Sequence, residues 1–220
     1  MSEKINEKIE KYVNKLKFDY KIDTFLGNSK HIGAIVMNCN PFTLGHRYLI
    51  EESAKKVEKL IVFVVEENRS QFDFKDRFYM VREGTKDIDN VIVVPSGDFV
   101  LSYYTLPAYF RKEENRQIKM DASLDINIFS EYIVPEFGIT IRFTGEEPID
   151  QVTAQYNQQM RKIFSETGAV EFSEIPRKEH EGEVISASAV RRALDDENWE
   201  KIRMMVPETT FEFLRGNYRK

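Results

Sequence analysis

Hydrophobic positions along the chain fall into short continuous runs separated by amphipathic stretches. Four of these runs are rich in β-branched residues, and a fifth precedes the carboxyl-terminal part of the chain: 32–37, 60–65, 91–94, 139–143 and 170–175. Short runs without alternation are typical of strands that are buried on both faces, as in a parallel sheet.

The stretches between these runs repeat their apolar residues at helical spacing. We predict helices over 44–57, 75–84, 119–137 and 152–166, with more helices at the carboxyl end. Strands that alternate with helices through short links indicate right-handed crossover units. The pattern therefore predicts an α/β fold, a Rossmann-like doubly wound parallel sheet of about five strands flanked by helices. Ligands of such sheets bind beyond the carboxyl ends of the strands.

An amphipathic helix is predicted before the first strand. Its apolar residues are Ile5, Ile9, Tyr12, Val13 and Leu16. A polar link follows it, and no repeat or low-complexity segment is visible in the 220 residues, a length that suits one well-buried core. We predict an amino-terminal helical extension over 1–29 and one domain over 30–220.

Composition and charge exclude several classes of protein. Hydrophobic residues make up 41% of the chain, charged residues 31%, and the net charge of -5 comes from interspersed acids and bases. We expect no nucleic-acid partner, since no basic field is present. No apolar run approaches the roughly 20 residues of a membrane span, and the first residues lack the apolar centre of a signal peptide, so a cytoplasmic protein without a membrane partner is expected.

Most ionisable side chains are expected to have no catalytic role. The basic residues Arg47, Arg69, Arg77, Arg111, Arg142, Arg177, Lys178, Arg191 and Arg192 are scattered, and most should be solvated surface charges. Asp121 and Asp125 share a helix face and are expected to form a solvated stripe. The single cysteine, Cys39, excludes an internal disulfide and is expected to be a small apolar residue and not a nucleophile.

The segment Asn38-Cys39-Asn40-Pro41-Phe42-Thr43-Leu44-Gly45-His46 links the first predicted strand to the first core helix. Pro41 fixes a corner, and Gly45 allows a ligand to approach the backbone. The free N–H groups of the helix start suit phosphate, with His46 as a titratable donor. Alternatively, the segment only shapes a turn, Thr43 only caps the helix, and His46 packs or faces solvent.

A second segment, Ile185-Ser186-Ala187-Ser188-Ala189-Val190-Arg191, opens a late amphipathic helix. Ser186 or Ser188 could cap that helix and bind a terminal phosphate, which Arg191 would neutralise. The alternative is an ordinary serine cap beside a solvated arginine.

Together the two segments resemble the nucleotidylyltransferase superfamily. Residues 43–46 match its (His or Thr)-x-Gly-His motif, and residues 185–191 match Ile-Ser-Ser-Thr-x-x-Arg except that Ala187 replaces a serine and Ser188 a threonine. Longer phrases resemble the carboxyl-terminal domain of citrate lyase ligases, over 33–49, 95–97, 142–148, 152–157 and 174–178. Those ligases usually carry a preceding acetyltransferase-like domain, so the resemblance implies either a fragment or a stand-alone relative.

The resemblance implies that ATP and acetate give acetyl adenylate and pyrophosphate. The acyl group then passes to the prosthetic-group thiol on the acyl-carrier subunit of citrate lyase. It implies ATP and Mg²⁺ as cofactors, with no metal site built from protein side chains. His46, Thr43 and Arg191 would be catalytic. The nucleotide-binding set would be Asn38, Asn40, Pro41, Phe42, Gly45, Gly145, Glu146, Ile185, Ser186 and Ser188.

Two further segments are assigned less directly. Gly145 and Glu146 would contact adenosine or form a solvated turn. Ser96 and Gly97 would line the acceptor pocket, although the aromatic residues that follow them are also typical of simple packing. Two alternative functions stay open: a stand-alone enzyme that couples AMP or CMP to a phosphorylated small molecule, and a non-catalytic nucleotide-binding or docking module.

Overall fold

The protein contains one parallel sheet of five strands. A computed structural model describes residues 3–67, 70–107, 109, 121–147, 150–177, 179–180 and 183–218. The strands are β1 (Ile32–Met37), β2 (Lys59–Val64), β3 (Val91–Pro95), β4 (Ile141–Gly145) and β5 (Glu171–Ile175). Their order is β3-β2-β1-β4-β5, and every neighbouring pair is parallel. The predicted doubly wound sheet is confirmed, and its order reverses between β1 and β4.

Helices cover both faces of this sheet. They are α1 (Glu3–Tyr20), α2 (Ile22–Leu26), α3 (Leu44–Ala54), α4 (Phe74–Glu83), α5 (Ser123–Ile128), a π-helical turn (Phe129–Ile133), α6 (Val134–Phe137), α7 (Gln151–Thr167), α8 (Ala187–Asp195), α9 (Trp199–Met205) and α10 (Glu208–Asn217). Two short antiparallel strands, β6 (Glu179–His180) and β7 (Glu183–Val184), precede α8. The predicted start of the helix over 119–137 lies outside the described residues.

Two apolar clusters explain why the strands are continuous hydrophobic runs. Along β2, Ile61 and Phe63 pack into a cluster with α1, α2 and the α5–α7 region. Leu60 and Val62 face the opposite way, into a cluster with α3, α4 and α8–α10. Because successive side chains of a strand point to opposite faces, a strand between two helical layers is apolar at every position.

The leading helix α1 packs against the sheet. Ile9, Val13 and Leu16 are each at most 2% exposed and belong to the first apolar cluster. The Tyr12 hydroxyl donates a hydrogen bond of 2.9 Å to the carbonyl oxygen of Pro95 at the end of β3. The amino-terminal segment is therefore helical and docked, while the domain boundary at residue 30 stays a prediction.

Three charged side chains that were expected to be solvated are buried. Arg77 and Arg142 are 0% and 2% exposed, and Asp125 is 1% exposed. The carboxylate of Asp125 accepts hydrogen bonds from the hydroxyls of Thr105 and Tyr156, both at 2.6 Å. Burial raises the pKa of Asp125. Arg77 and Arg142 are exceptions to the expectation that most basic residues are solvated, and Arg77 is satisfied by backbone carbonyls. The solvated stripe predicted for Asp125 was wrong because its hydroxyl partners are distant in sequence.

The other candidates for surface charges differ in what can be said of them. Asp121 is exposed, as predicted. Arg69, Arg111 and Lys178 lie outside the described residues. Among the described residues, no helix combines the length and apolarity needed to cross a membrane.

Candidate active site

The turn after β1 ends in a reciprocal cap at the start of α3. Thr43 is the residue before the helix, and its hydroxyl accepts a hydrogen bond of 3.3 Å from the backbone N–H of His46. In return, the backbone N–H of Thr43 donates to Nδ1 of His46 at 3.1 Å. Thr43 caps the helix, as in the alternative interpretation, and the cap also fixes the orientation of the His46 ring; the catalytic role of Thr43 stays a prediction.

This cap determines which nitrogen of His46 can donate. A backbone N–H can only donate, so Nδ1 is an acceptor and Nε2 carries the proton of the neutral ring. The ring is half-buried and stacks on Phe42 with 6.1 Å between ring centroids. Burial, and then the positive charge of nearby Arg177, lower the pKa of His46 to about 4. His46 is therefore neutral near pH 7 and keeps one N–H donor that the cap does not use.

Arg77 of α4 holds the loops that follow β1 and β2. Its guanidinium donates to the carbonyl oxygens of Asn38 (2.7 Å), Val65 (2.8 Å), Glu67 (2.6 Å) and Phe72 (3.0 Å). It also donates to Oδ1 of Asn38 at 2.9 Å. A buried cation is stabilised when its donors are satisfied, and here backbone oxygens satisfy them. Arg77 thus shapes the turn that carries the first motif.

The other residues of the first turn are also held internally. Oδ1 of Asn40 accepts a 3.1 Å hydrogen bond from the backbone N–H of Phe72. Phe42 is fully buried, and a Cβ added to Gly84 would lie 2.5 Å from its ring. Pro41 is buried as well, and Cys39 is buried, which raises the pKa of its thiol. These contacts make the turn rigid, and the nucleotide contacts predicted for Asn38, Asn40, Pro41 and Phe42 stay predictions.

The second motif forms the cap of α8. Ser186 accepts a 3.1 Å hydrogen bond from the backbone N–H of Ala189, so Ser186 is the capping residue. The hydroxyl of Ser188 lies 3.1 Å from that of Ser186, and both side chains are half-buried. Ile185 is 5% exposed and packs in the second apolar cluster.

The two motifs meet, although 151 positions separate the residues that join them. Nη1 of Arg191 donates a 2.7 Å hydrogen bond to the carbonyl oxygen of Asn40. A Cβ added to Gly45 would lie 3.4 Å from the carbonyl oxygen of Ile185, so the two backbones approach closely there. The helix starts of α3 and α8, His46 and Arg191 therefore lie at one edge of the sheet. That arrangement offers N–H groups, hydroxyls and a cation, which are the donors that bind phosphate.

The ends of β4 and β5 border this edge. Gly145 lies beneath α3, since a Cβ added to it would be 3.7 Å from Cδ2 of Leu49. Glu146 is exposed, and its backbone N–H donates to the carbonyl oxygen of Ile175. The carbonyl oxygen of Gly145 accepts from Nδ2 of Asn157 at 3.1 Å. Glu146 is free to contact a ligand, and the adenosine role of both residues stays a prediction.

Arg177 also lies at this edge, although the predicted set of site residues does not include it. Its Nη1 donates to Oε1 of Glu147 at 2.9 Å, and its charge reaches His46. The available signal was its position directly beyond the last strand of the sheet, where ligands of such folds bind.

Ser96 and Gly97 lie at the end of β3. Ser96 is 0% exposed, accepts from the backbone N–H of Glu66 at 3.1 Å and donates to the carbonyl oxygen of Gly97. Gly97 has φ +58°, and a Cβ on it would lie 2.5 Å from the ring of Tyr12. These contacts are internal to the fold, and the acceptor-binding role of both residues stays a prediction.

The sequence matches known proteins over most of its length. Residues 32–214 match the family model of the citrate lyase ligase C-terminal domain. A citrate (pro-3S)-lyase ligase from Klebsiella pneumoniae is 39% identical over 188 residues, which are 84% of this chain and 55% of that protein. One from Haemophilus influenzae is 40% identical over 86% of this chain and 57% of that protein. The chain thus spans about half the length of these relatives.

A solved structure supports the fold. A Vibrio parahaemolyticus protein provisionally described as a nicotinate-nucleotide adenylyltransferase superposes with a TM-score of 0.54. The match covers 85% of this chain and 93% of that one, at 16% sequence identity. At this identity the likeness concerns the fold alone, and it agrees with the sheet order and helix placement described above.

Proposed function

Because the chain belongs to the family of citrate lyase ligase C-terminal domains, we propose that it activates a small carboxylate, acetate, by adenylyl transfer from ATP with release of pyrophosphate. The observation that carries this proposal is the 2.7 Å hydrogen bond from Arg191 to Asn40, which brings both motif turns to one edge. A single triphosphate can contact both turns only if they meet in this way.

In the proposed reaction a carboxylate oxygen of acetate attacks the α-phosphorus of ATP. A carbonyl carbon–oxygen–phosphorus linkage forms, the bond between the α-phosphorus and the bridging oxygen breaks, and pyrophosphate leaves with that oxygen. Negative charge grows on oxygens around phosphorus, so the protein contributes oriented donors and needs no nucleophile of its own. Because no protein nucleophile is needed, the buried and protonated thiol of Cys39 is compatible with this reaction.

Each turn has a distinct role in this proposal. Nε2–H of neutral His46 donates to the α-phosphate, and Thr43 and the backbone near Gly45 hold that donor in place. The start of α8, with Ser186 and Ser188, binds the β- and γ-phosphates, and Arg191 neutralises them. Since His46 has a pKa of about 4, it donates a hydrogen bond without having to change protonation state.

Magnesium fits this site only as part of the nucleotide complex. In the described ranges, no group of three or more His, Cys, Asp or Glu side chains could hold a metal ion. The residues of the two motif turns present donors and a cation, which suit phosphate oxygens and not a metal. Mg²⁺ would therefore be bound by phosphate oxygens and water, where it shields the charge of the triphosphate.

The acceptor of the acyl group belongs to the proposal as well. The relatives are citrate (pro-3S)-lyase ligases by name, which supports the acyl-carrier thiol of citrate lyase as the final acceptor. Gly145 and Glu146 would contact adenosine, and Ser96 and Gly97 would border the acceptor side.

The decisive assay is exchange of labelled pyrophosphate into ATP in the presence of acetate. We expect acetate-dependent exchange, and acetylation of deacetylated citrate lyase when that protein is added. Exchange that requires a phosphorylated alcohol in place of acetate would contradict the proposal and favour a stand-alone nucleotidylyltransferase. ATP binding without pyrophosphate release in either assay would favour a non-catalytic module.

A further inference from the structure

An ion pair lies beside the proposed catalytic histidine, between the ends of β4 and β5. The last paired residues of these strands are Gly145 and Ile175. Two residues beyond each of them, Nη1 of Arg177 and Oε1 of Glu147 are 2.9 Å apart. The two side chains are 24% and 16% exposed, respectively. The pair is thus mostly shielded from water, unlike an ordinary surface ion pair.

Glu147 is oriented by the start of α7. Its Oε1 also accepts a 3.0 Å hydrogen bond from the backbone N–H of Asp150. Asp150 in turn caps α7, because its carboxylate accepts from the backbone N–H groups of Val152 and Thr153. The carboxylate is therefore fixed by the fold, and it holds the guanidinium of Arg177 in one place.

Arg177 is close to His46. Leu49 of α3 lies next to Gly145, since a Cβ added to Gly145 would be 3.7 Å from Cδ2 of Leu49. His46 is three residues before Leu49 on α3, so it lies about one turn nearer the start of this helix. The charge of Arg177 contributes to the low pKa of His46, an effect that requires a short separation. Arg177 thus lies beyond the end of β5 and near His46, while Arg191 joins the two turns.

Positive charge accumulates at this edge in the free protein. The starts of α3 and α8 carry the positive ends of helix dipoles, Arg191 adds a cation, and Arg177 adds a second one that Glu147 compensates. Like charges in a partly buried place raise the free energy of the free protein. A bound polyphosphate relieves this repulsion, and a guanidinium binds phosphate in the same forked geometry in which it binds carboxylate.

We propose that Arg177 is a phosphate-binding residue and that Glu147 is the resident anion that the phosphates of the nucleotide displace. This inference rests on the proposed function, since it assumes that a nucleoside triphosphate binds at this edge. In the free protein Glu147 keeps Arg177 oriented and compensated. When the triphosphate binds, the guanidinium of Arg177 releases the carboxylate of Glu147 and binds a phosphate oxygen instead. It then contacts the same phosphate group as His46.

The test is calorimetric titration of the full chain with ATP and, separately, with adenosine. Arg177→Gln should weaken ATP binding about 10- to 100-fold, as expected for loss of a charge-assisted hydrogen bond, and change adenosine binding less than about 2-fold. Arg177→Lys should restore part of the affinity. The matched control is Arg203→Gln. This variant removes an exposed arginine of α9 that is paired with Glu208 of α10, and it should change neither titration.

Glu147→Gln tests the exchange. Glutamine keeps an oxygen that can accept from Asp150 but removes the charge that competes with phosphate. We expect ATP binding to become about 2- to 10-fold tighter, and this gain should disappear when Arg177→Gln is also present. Weaker ATP binding in Glu147→Gln would overturn the exchange.

A histidine titration by NMR provides a readout that a purely structural role would not change. Removal of the neighbouring charge in Arg177→Gln should raise the pKa of His46 above about 4. An unchanged His46 pKa, or ATP and adenosine affinities that fall equally, would overturn the inference. If Arg177→Gln does not fold, Arg177→Met, which also removes the charge, takes its place in both measurements.

The outcomes separate the inference from the proposed function. Wild-type protein that binds ATP and supports acetate-dependent exchange, with an Arg177→Gln variant that binds ATP equally well, would refute only the inference. Wild-type protein that does not bind ATP would refute both.

Discussion

The two motif turns begin helices in the same way but are supported differently. The first turn, residues 38–46, is fixed by the reciprocal Thr43–His46 cap and by the buried guanidinium of Arg77. The second, residues 185–191, has a single serine cap and two half-buried hydroxyls. The first turn is thus held by its own cap and by a side chain of α4, while the second is held by a serine cap and by the contact between its two hydroxyls.

The largest effect is expected when Arg77 is removed. Arg77→Met leaves the carbonyl oxygens of Val65, Glu67 and Phe72 without their donor, and each unsatisfied buried acceptor costs about 1–3 kcal/mol. We expect the free energy of unfolding to fall by at least about 3 kcal/mol in urea titrations. Arg191→Met, which removes the hydrogen bond from the second turn to the carbonyl oxygen of Asn40, should cost about 1 kcal/mol. Equal losses in the two variants would contradict the difference between the turns.

The second prediction separates catalysis from capping at His46. Glutamine at this helix position can also complete a reciprocal cap, whereas alanine cannot. Both His46→Gln and His46→Ala should lower the turnover number for pyrophosphate exchange about 100- to 1,000-fold, because both remove the oriented donor. Only His46→Ala should also lose about 1 kcal/mol of stability. Full turnover in His46→Gln would remove the imidazole from the mechanism.

The third prediction concerns pH. His46 has a pKa of about 4 in the folded protein, whereas an unperturbed histidine has about 6.5. The unfolded chain therefore binds a proton at this site first as the pH falls, so the contribution of His46 to stability is complete above pH 6.5 and is lost as the pH falls toward 4. We expect a loss of about 3 kcal/mol from this residue.

Urea unfolding of wild type and His46→Gln at several pH values measures this contribution. The free-energy difference between the two proteins should change with pH over that range. The second turn contains no residue that titrates there, so Ser186→Ala should follow the same pH profile as wild type. A difference between wild type and His46→Gln that does not depend on pH would contradict the assignment.

The smallest effect distinguishes the two serines. Ser186→Ala removes the cap of α8 and should cost about 1 kcal/mol, whereas Ser188→Ala should cost less than about 0.5 kcal/mol. Urea unfolding at pH 7 compares the variants directly. If Ser188→Ala were the more destabilising of the two, the cap assignment would be wrong.

The sequence was informative wherever the signal is local. The run over β2 predicts a strand buried on both faces, and the spacing of Thr43 and His46 places both at a helix start. The convergence of the two turns was inferred through a family resemblance, and the contact between Arg191 and Asn40 supports it. Strands and helix caps can be predicted from local patterns because they depend on neighbouring residues.

Contacts between distant segments account for the errors and omissions. Arg77 is buried by backbone carbonyls, which no side-chain pattern reveals. Asp125 pairs with hydroxyls 20 and 31 positions away, on Thr105 and Tyr156. The place of Arg177 depends on the register of β4 against β5, which periodicity does not determine.

The docking of α1 has a practical consequence for work on this protein. The ring of Tyr12 packs against Gly97, and its hydroxyl donates a hydrogen bond to the carbonyl oxygen of Pro95. The neighbouring side chains of α1 cover one face of the sheet. A version trimmed to residue 30 onward would keep both motifs but expose that apolar face, and exposed faces of this kind promote aggregation. The leading helix should therefore be retained when the protein is shortened for crystallisation or assay.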